Sequence, residues 1–125
     1  MQLAPGLTAT VPLTVSDTDT AVALRSGDVP VLATPRLVAL VEEATVAAVA
    51  PALGSAETTV GIRVELDHLA PTLVGATVHA SAELVTVEGR RLEFAVAVSQ
   101  GETRVAVGRV LRVVVDRERF LGRAG

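Results

Sequence analysis

Apolar and polar residues alternate along most of this chain, and the period of the alternation changes once. Residues 6–15, GLTATVPLTV, set apolar side chains between threonines at nearly every second position and predict a strand. Residues 16–33 mix Asp, Ser, Gly and Pro without a period, so an irregular segment with a short helical turn is expected there. From Thr34 the period becomes helical. TPRLVALVEEATVAAVAP has Thr34 as an N-cap, Pro35 at the first helical position and Pro51 as a stop, with Gly54 reinforcing the exit. Only strands are expected after it, at residues 58–70, 76–88, 91–100 and 103–116. Glu88-Gly89-Arg90 reads as a tight hairpin turn, and Gln100-Gly101-Glu102 leads into the last strand. Leu92, Phe94, Val96 and Val98 alternate with Glu93, Ala95, Ala97 and Ser99, which makes the fourth strand half buried.

One acid interrupts the helical pattern. At ~100° per residue Glu42 falls between Val46 and Val49, with Val38 close by, whereas Glu43 points toward Arg36, Ala39 and Ala50 and reaches water. A carboxylate inside an apolar stripe without a partner costs on the order of several kcal/mol, so Glu42 is the first candidate for chemistry. One small-residue helix against an antiparallel sheet is an α+β layer architecture. The form this order suggests is the hot-dog fold, a sheet curled around one long central helix.

Composition narrows the function. The 125 residues suffice for one domain, residues 1–125, with a real core. Half of them are hydrophobic, mean hydropathy is +0.50, and the aromatic residues are Phe94 and Phe120 alone. Val, Leu and Ala must therefore build the core, and so much apolar surface in a small chain calls for a buried subunit interface. A net charge of −3, without a basic tract or aromatics for base stacking, argues against nucleic acid binding. No cysteine is present, which removes disulfides and thiolate chemistry, and two histidines without HxH or HxxxH spacing give no support for a metal. The N-terminus lacks the pattern of a secretory signal, and no uncharged apolar stretch reaches the roughly 20 residues of a membrane span. A cytoplasmic protein is the expectation.

Several other residues have both an ordinary and a chemical reading. His68 lies where the second strand enters a Pro-containing loop, as a surface histidine or as a displayed catalytic imidazole. Thr34 is explained as a helix cap, yet a hydroxyl and free N–H groups at a helix start can also receive developing negative charge. Gly61 interrupts a β-branched run, through a bulge or through the close approach of a ligand. Arg112, in an otherwise apolar strand, either faces solvent beside Arg104 or binds an acidic group of a substrate. His79 alternates with Thr77, Ser81 and Glu83 on a polar strand face and reads as solvated. Arg90 and Arg91 at the hairpin tip are ordinary turn residues, or a site for the phosphates of coenzyme A.

Taken together, TPRLVALVEEA, TVGIRVELDHLAPTLVGATV and LVTVEGRRLEFAVAV resemble the thioesterases related to fluoroacetyl-CoA thioesterase, within the hot-dog superfamily, over roughly residues 20 to 120. The resemblance implies catalytic roles for Thr34, Glu42 and His68, the last in an H-x-A-x-x-x-x-G segment closed by Gly75. It also implies substrate contact at Gly61 and Arg112. The expected activity is hydrolysis of a short or medium acyl-CoA by a homodimer with two sites. Coenzyme A enters as part of the substrate, and no separate cofactor or metal is implied. His68 would act as general base or acid with Thr34, and Glu42 would attack the carbonyl or activate water. The fluoroacetyl-specific relative carries phenylalanines in the lid before the threonine. Here that stretch is ALRSGDVPVLA, so fluoroacetyl specificity is not expected. The alternatives are a non-catalytic hot-dog protein binding acyl-CoA or a small hydrophobic ligand, and a hot-dog dehydratase.

Overall fold

A computed structural model describes residues 2–125. Strand β1 (Thr8–Thr14) leads into a 3-10 turn (Asp17–Asp19) and the one-turn helix α1 (Ala21–Leu24). The long helix α2 (Thr34–Val49) and a second 3-10 turn (Ala50–Ala52) follow. Strands β2 (Glu57–His68), β3 (Thr77–Glu88), β4 (Arg91–Gln100) and β5 (Thr103–Asp116) come next, and the short helix α3 (Arg117–Gly122) ends the chain. The five strands form one antiparallel sheet in the order β1-β3-β4-β5-β2, with α2 packed chiefly on β1 and β3. This is the α+β hot-dog architecture. The expectation that only strands follow α2 is corrected by α3. Its cap is Asp116, whose carboxylate accepts the Arg119 N–H at 2.9 Å, a local signal placed directly after a strong strand pattern.

Period-two alternation decides which side of the sheet meets the helix. Val78, Ala80, Ala82 and Leu84 of β3, with Leu92, Phe94, Val96 and Val98 of β4, are buried against Leu37, Leu40, Val41, Ala44 and Val49 of α2. Alanines at facing positions let the helix lie close to the sheet, and Phe94 fills the space they leave. Both predicted hairpin turns are present. Gly89 (φ +61) and Gly101 (φ +58) each take the first central position of a two-residue loop, where positive φ is required. Pro51 does not end the helix outright; it sits inside the 3-10 turn that tightens its exit.

Residues 16–33 are better held than their composition suggests. Short bridges join Thr20 to Leu32 and Val31 to Leu73, and the Leu32 N–H donates to the Thr72 carbonyl at 2.9 Å. The firmest anchor is Asp19. Its carboxylate accepts from the backbone N–H and hydroxyl of Ser16 and from Arg36 Nε in the first turn of α2. Burial alone would raise the Asp19 pKa, but the hydrogen bonds from Ser16 and Arg36 outweigh it and hold the carboxyl below its ordinary value. Stability from this group is therefore complete above the ordinary carboxylate range and is lost as pH falls through the depressed folded value. Asp19→Asn should lower stability by about 1–3 kcal/mol at neutral pH. The gap to the wild type should close on acidification, read by urea unfolding from pH 7 to pH 3. A gap independent of pH would show that the charge is not what anchors the segment.

Candidate active site

The start of α2 and the end of β2 meet at one pair of side chains. Thr34 Oγ1 lies 2.7 Å from His68 Nδ1. The helix is capped by Ala33, not by Thr34, and Thr34 makes no capping hydrogen bond. That corrects the expected cap. The Ala33 carbonyl accepts from the Arg36 and Leu37 amides, and the threonine hydroxyl is left to face the imidazole. His68 Nε2 and Thr72 Oγ1 are buried without a hydrogen-bond partner among the described residues. The contact joins a hydroxyl to a ring nitrogen that donates or accepts according to its tautomer, so the pair can pass a proton between a bound group and the ring.

Two turns along the same helix, Glu42 meets β5. Glu42 Oε2 accepts from Arg112 Nη1 at 3.1 Å. The guanidinium is buried and fully directed: Nε donates to Thr59 Oγ1 at 2.8 Å and Nη2 to the Thr59 carbonyl at 3.0 Å. Burial pushes the Arg112 pKa below its ordinary value, and the neighbouring Glu42 carboxylate opposes that shift. Glu42 thus sits at the margin of the apolar face with a third of its side chain exposed, rather than unpaired inside it. The helix buries the row centred on Leu37, Val41, Ala44 and Ala48, so Val38, Glu42 and Val46 form its flank. Glu43 is exposed.

Gly61 explains how the carboxylate fits. It pairs with Arg112 across β2 and β5, and a β-carbon there would collide with Glu42 Oε2 and crowd Arg112 Nη1 at 3.3 Å. The register also slips between Gly61 and Arg63, so Ile62 is bulged out. The bulge reading of Gly61 therefore holds, and the group that approaches its backbone closely is the Glu42 carboxylate. Thr59 was not singled out in the sequence; a threonine in a β-branched run carries no signal that its hydroxyl anchors an arginine 53 residues away. The structure brings Thr34 to His68, and Glu42, Gly61 and Arg112 to one another. The two clusters share α2 and β2, eight helical residues or ~12 Å of axis apart. His79 is exposed on the outer sheet face. Arg90 and Arg91 part company: Arg90 turns toward α3 and Arg91 toward Glu88 and Glu93.

The surroundings are aliphatic. Val31, His68, Leu69, Ala70 and Pro71 line an open depression of about 240 Å³. Val22, Leu24 and Val29 in the segment before α2, and Leu73 and Val74 after His68, are exposed. Among the described residues, no helix is long and apolar enough to cross a membrane.

The helix-and-sheet layer that carries these side chains is the hot-dog fold of the thioesterase superfamily. A solved Thermus thermophilus protein described as a member of that superfamily superimposes with a TM-score of 0.89 at 28% identity, covering 97% of this chain and 90% of that one. Residues 15–118 match the model of the fluoroacetyl-CoA-specific thioesterase family, and the chain belongs to that family. The fluoroacetyl-CoA thioesterase of Streptantibioticus cattleyicolor is 40% identical over 90 residues, 72% of this chain and 65% of that protein's length. A crystal structure of the fluoroacetyl-CoA-specific enzyme has a TM-score of 0.91 at 32% identity, covering 98% of this chain and 95% of that one.

The packing at Gly61 yields a test. The atom that an alanine would strike is the far end of a flexible side chain, but that end is held by the buried Arg112 guanidinium, so Gly61→Ala should cost about 1–3 kcal/mol without preventing folding. It should still cut thioester hydrolysis by roughly a hundredfold, because the carboxylate is displaced. Melting together with turnover checks this; unchanged turnover would mean that the Glu42 position is not required.

Proposed function

We propose that the protein is a cytoplasmic acyl-CoA thioesterase acting on short or medium acyl groups, with Thr34, Glu42 and His68 carrying the reaction. The observation that carries this reading is the 2.7 Å contact between Thr34 Oγ1 and His68 Nδ1, on the same helix as a carboxylate gripped by a buried arginine. Hydrolysis exchanges a C–S bond for a C–O bond. It needs an oxygen nucleophile, stabilisation of the carbonyl oxygen, and a proton for the departing thiolate. Glu42 supplies the first, by attack or by activating water; the Thr34–His68 pair supplies the proton. Backbone N–H groups near Gly61 or the start of α2 would receive the oxyanion. Arg112 and Gly61 set the position of the carboxylate and wall the acyl site.

The segment before α2 supports broad acyl specificity. It contains no aromatic ring, and its exposed side chains include Val22, Leu24 and Val29 as well as Arg25 and Asp28. An aliphatic and charged wall offers little specific gain for a fluoromethyl group, while one methylene more or less is worth only ~1–3 kcal/mol. The ratio of kcat/KM for fluoroacetyl-CoA over acetyl-CoA should stay well below about a thousand, the ratio that corresponds to ~4 kcal/mol. In the same thiol-release assay, Glu42→Gln should lower turnover by orders of magnitude and Glu43→Gln should leave it nearly unchanged. Equal effects would place the chemistry elsewhere, and no release of free thiol from any acyl-CoA would favour the ligand-binding alternative.

We also propose a homodimer with two sites, each walled by both copies. β2 is an edge strand of 12 residues, paired only with β5, and exposed Ile62, Leu69 and Val46 lie on or beside it. Such an edge invites pairing with a second copy. Light scattering at micromolar concentration should give twice the chain mass; a monomer mass would overturn the assembly.

A further inference from the structure

Two buried side-chain polar atoms have no hydrogen-bond partner among the described residues, His68 Nε2 and Thr72 Oγ1. Both belong to one short stretch of chain, HLAPT. A buried donor or acceptor left unmade costs more than an average hydrogen bond gains, so two of them this close in sequence call for one explanation. The chemistry described above uses the other ring nitrogen, Nδ1, which meets the Thr34 hydroxyl at 2.7 Å. It gives Thr72 no part.

The loop after His68 is drawn in tightly. The Leu69 and Ala70 amides both donate to the Val105 carbonyl, at 2.7 and 3.3 Å. The Thr72 carbonyl accepts from the Leu32 amide at 2.9 Å, and Leu73 bridges to Val31. Thr72, only 1% exposed, is thereby fixed against the segment that leads straight into Thr34. Val31, Leu69, Ala70 and Pro71, which line the open depression with His68, have aliphatic side chains and offer no acceptor. Asp67 is exposed, on the opposite face of β2 from its neighbour His68. From Leu69 to Gly75 the one side-chain oxygen is that of Thr72.

The protonation states follow from which nitrogen can be reached. Nε2 is sealed, so a proton arriving from a bound group by way of Thr34 lands on Nδ1. To receive it, the neutral ring keeps its own proton on Nε2, and the imidazolium then carries an N–H on both sides. In both states Nε2–H is a buried donor that needs an oxygen.

We propose that Thr72 is a positioning residue for His68: one buried water accepts from Nε2–H and donates to Thr72 Oγ1, which locks the ring with Nδ1 turned to Thr34. Joining unmatched buried polar groups is what internal waters do. A carboxylate in this place would hold the ring charged, whereas a neutral hydroxyl orients it and leaves Nδ1 free to take up and release a proton. The inference rests on the thioesterase reading and adds a residue to its site.

The test uses Thr72→Val, which keeps the branched shape and removes the hydroxyl, and Thr72→Ser, which retains it. Both variants should melt within about 5 °C of the wild type. In the thiol-release assay Thr72→Val should lower kcat roughly tenfold or more while KM stays within about twofold, and Thr72→Ser should recover most of the loss. An unchanged kcat in Thr72→Val, or a serine variant as slow as the valine one, would overturn the role of the hydroxyl. Nitrogen NMR of the isotope-labelled protein reads the ring without turnover, with His79→Gln to assign the two histidines. The neutral His68 ring should be protonated at Nε2, with slow exchange of that proton in the wild type and fast exchange in Thr72→Val. A neutral ring protonated at Nδ1, or identical spectra for the two proteins, would overturn the proposal even if hydrolysis is normal. The expected spectra in a protein that hydrolyses no acyl-CoA would overturn the thioesterase reading and leave the contact standing. A crystal structure should show one water within hydrogen-bond distance of both atoms; the two atoms without a shared water would overturn the bridge.

Discussion

A carboxylate laid against a strand backbone needs two things at once: a cation to balance it and no side chain in its way. In this protein Arg112 provides the first and Gly61 the second, and the two residues face each other across β2 and β5. The arginine is itself fixed by the hydroxyl and the carbonyl of Thr59, so Glu42 is held through a chain of hydrogen bonds that ends in the sheet. A buried guanidinium without its acid would be costly, which couples the packing of β5 to the presence of Glu42. The bulge at Ile62 belongs to the same arrangement, since the register slips immediately after the glycine. Fold and candidate chemistry therefore depend on one crowded crossing.

The second constraint is the seating of the segment before α2. Asp19 receives Ser16 on one side and Arg36 on the other, which fixes the approach to the helix just ahead of Thr34. The 2.7 Å contact between Thr34 and His68 requires the start of α2 and the end of β2 to be held to a fraction of an ångström, and a rigid entry to the helix supports that precision. Between its anchors the segment exposes Val22, Leu24 and Val29. Side chains can vary there without disturbing the core, because few of them are buried.

Much of the fold was legible because period-two alternation and a single helical stretch are strong local signals. Five strands and the long helix fall within a few residues of their expected places. The C-terminal helix was missed, since six residues carry too little periodicity to stand out after a strand. Among the candidate residues, Glu42, Gly61 and Arg112 stand out as anomalies of local pattern, whereas Thr34 and His68 have ordinary local readings and owe their candidacy to the family resemblance. Thr59 and Asp19 do not stand out, because a threonine in a strand and an aspartate in a polar loop conform to their surroundings.

The chain's own order of residues determined which side chains were out of keeping with their elements: an acid on a helix flank, a glycine in a β-branched run, an arginine in an apolar strand. It could not pair them. Whether Glu42 was buried alone or matched with Arg112, 70 residues away, depends on how β5 lies against α2, and no local periodicity encodes that distance. The same holds for the Thr34 hydroxyl, which local rules assign to a helix cap and which the fold turns to His68 instead. Adjacent Arg90 and Arg91 read as one cluster in sequence, yet Arg90 lies in the turn and Arg91 opens β4, and the two project into different grooves. Local backbone preferences act over a few residues, so they set the elements. Charge pairing and close approach act through space, so only the tertiary structure could decide them.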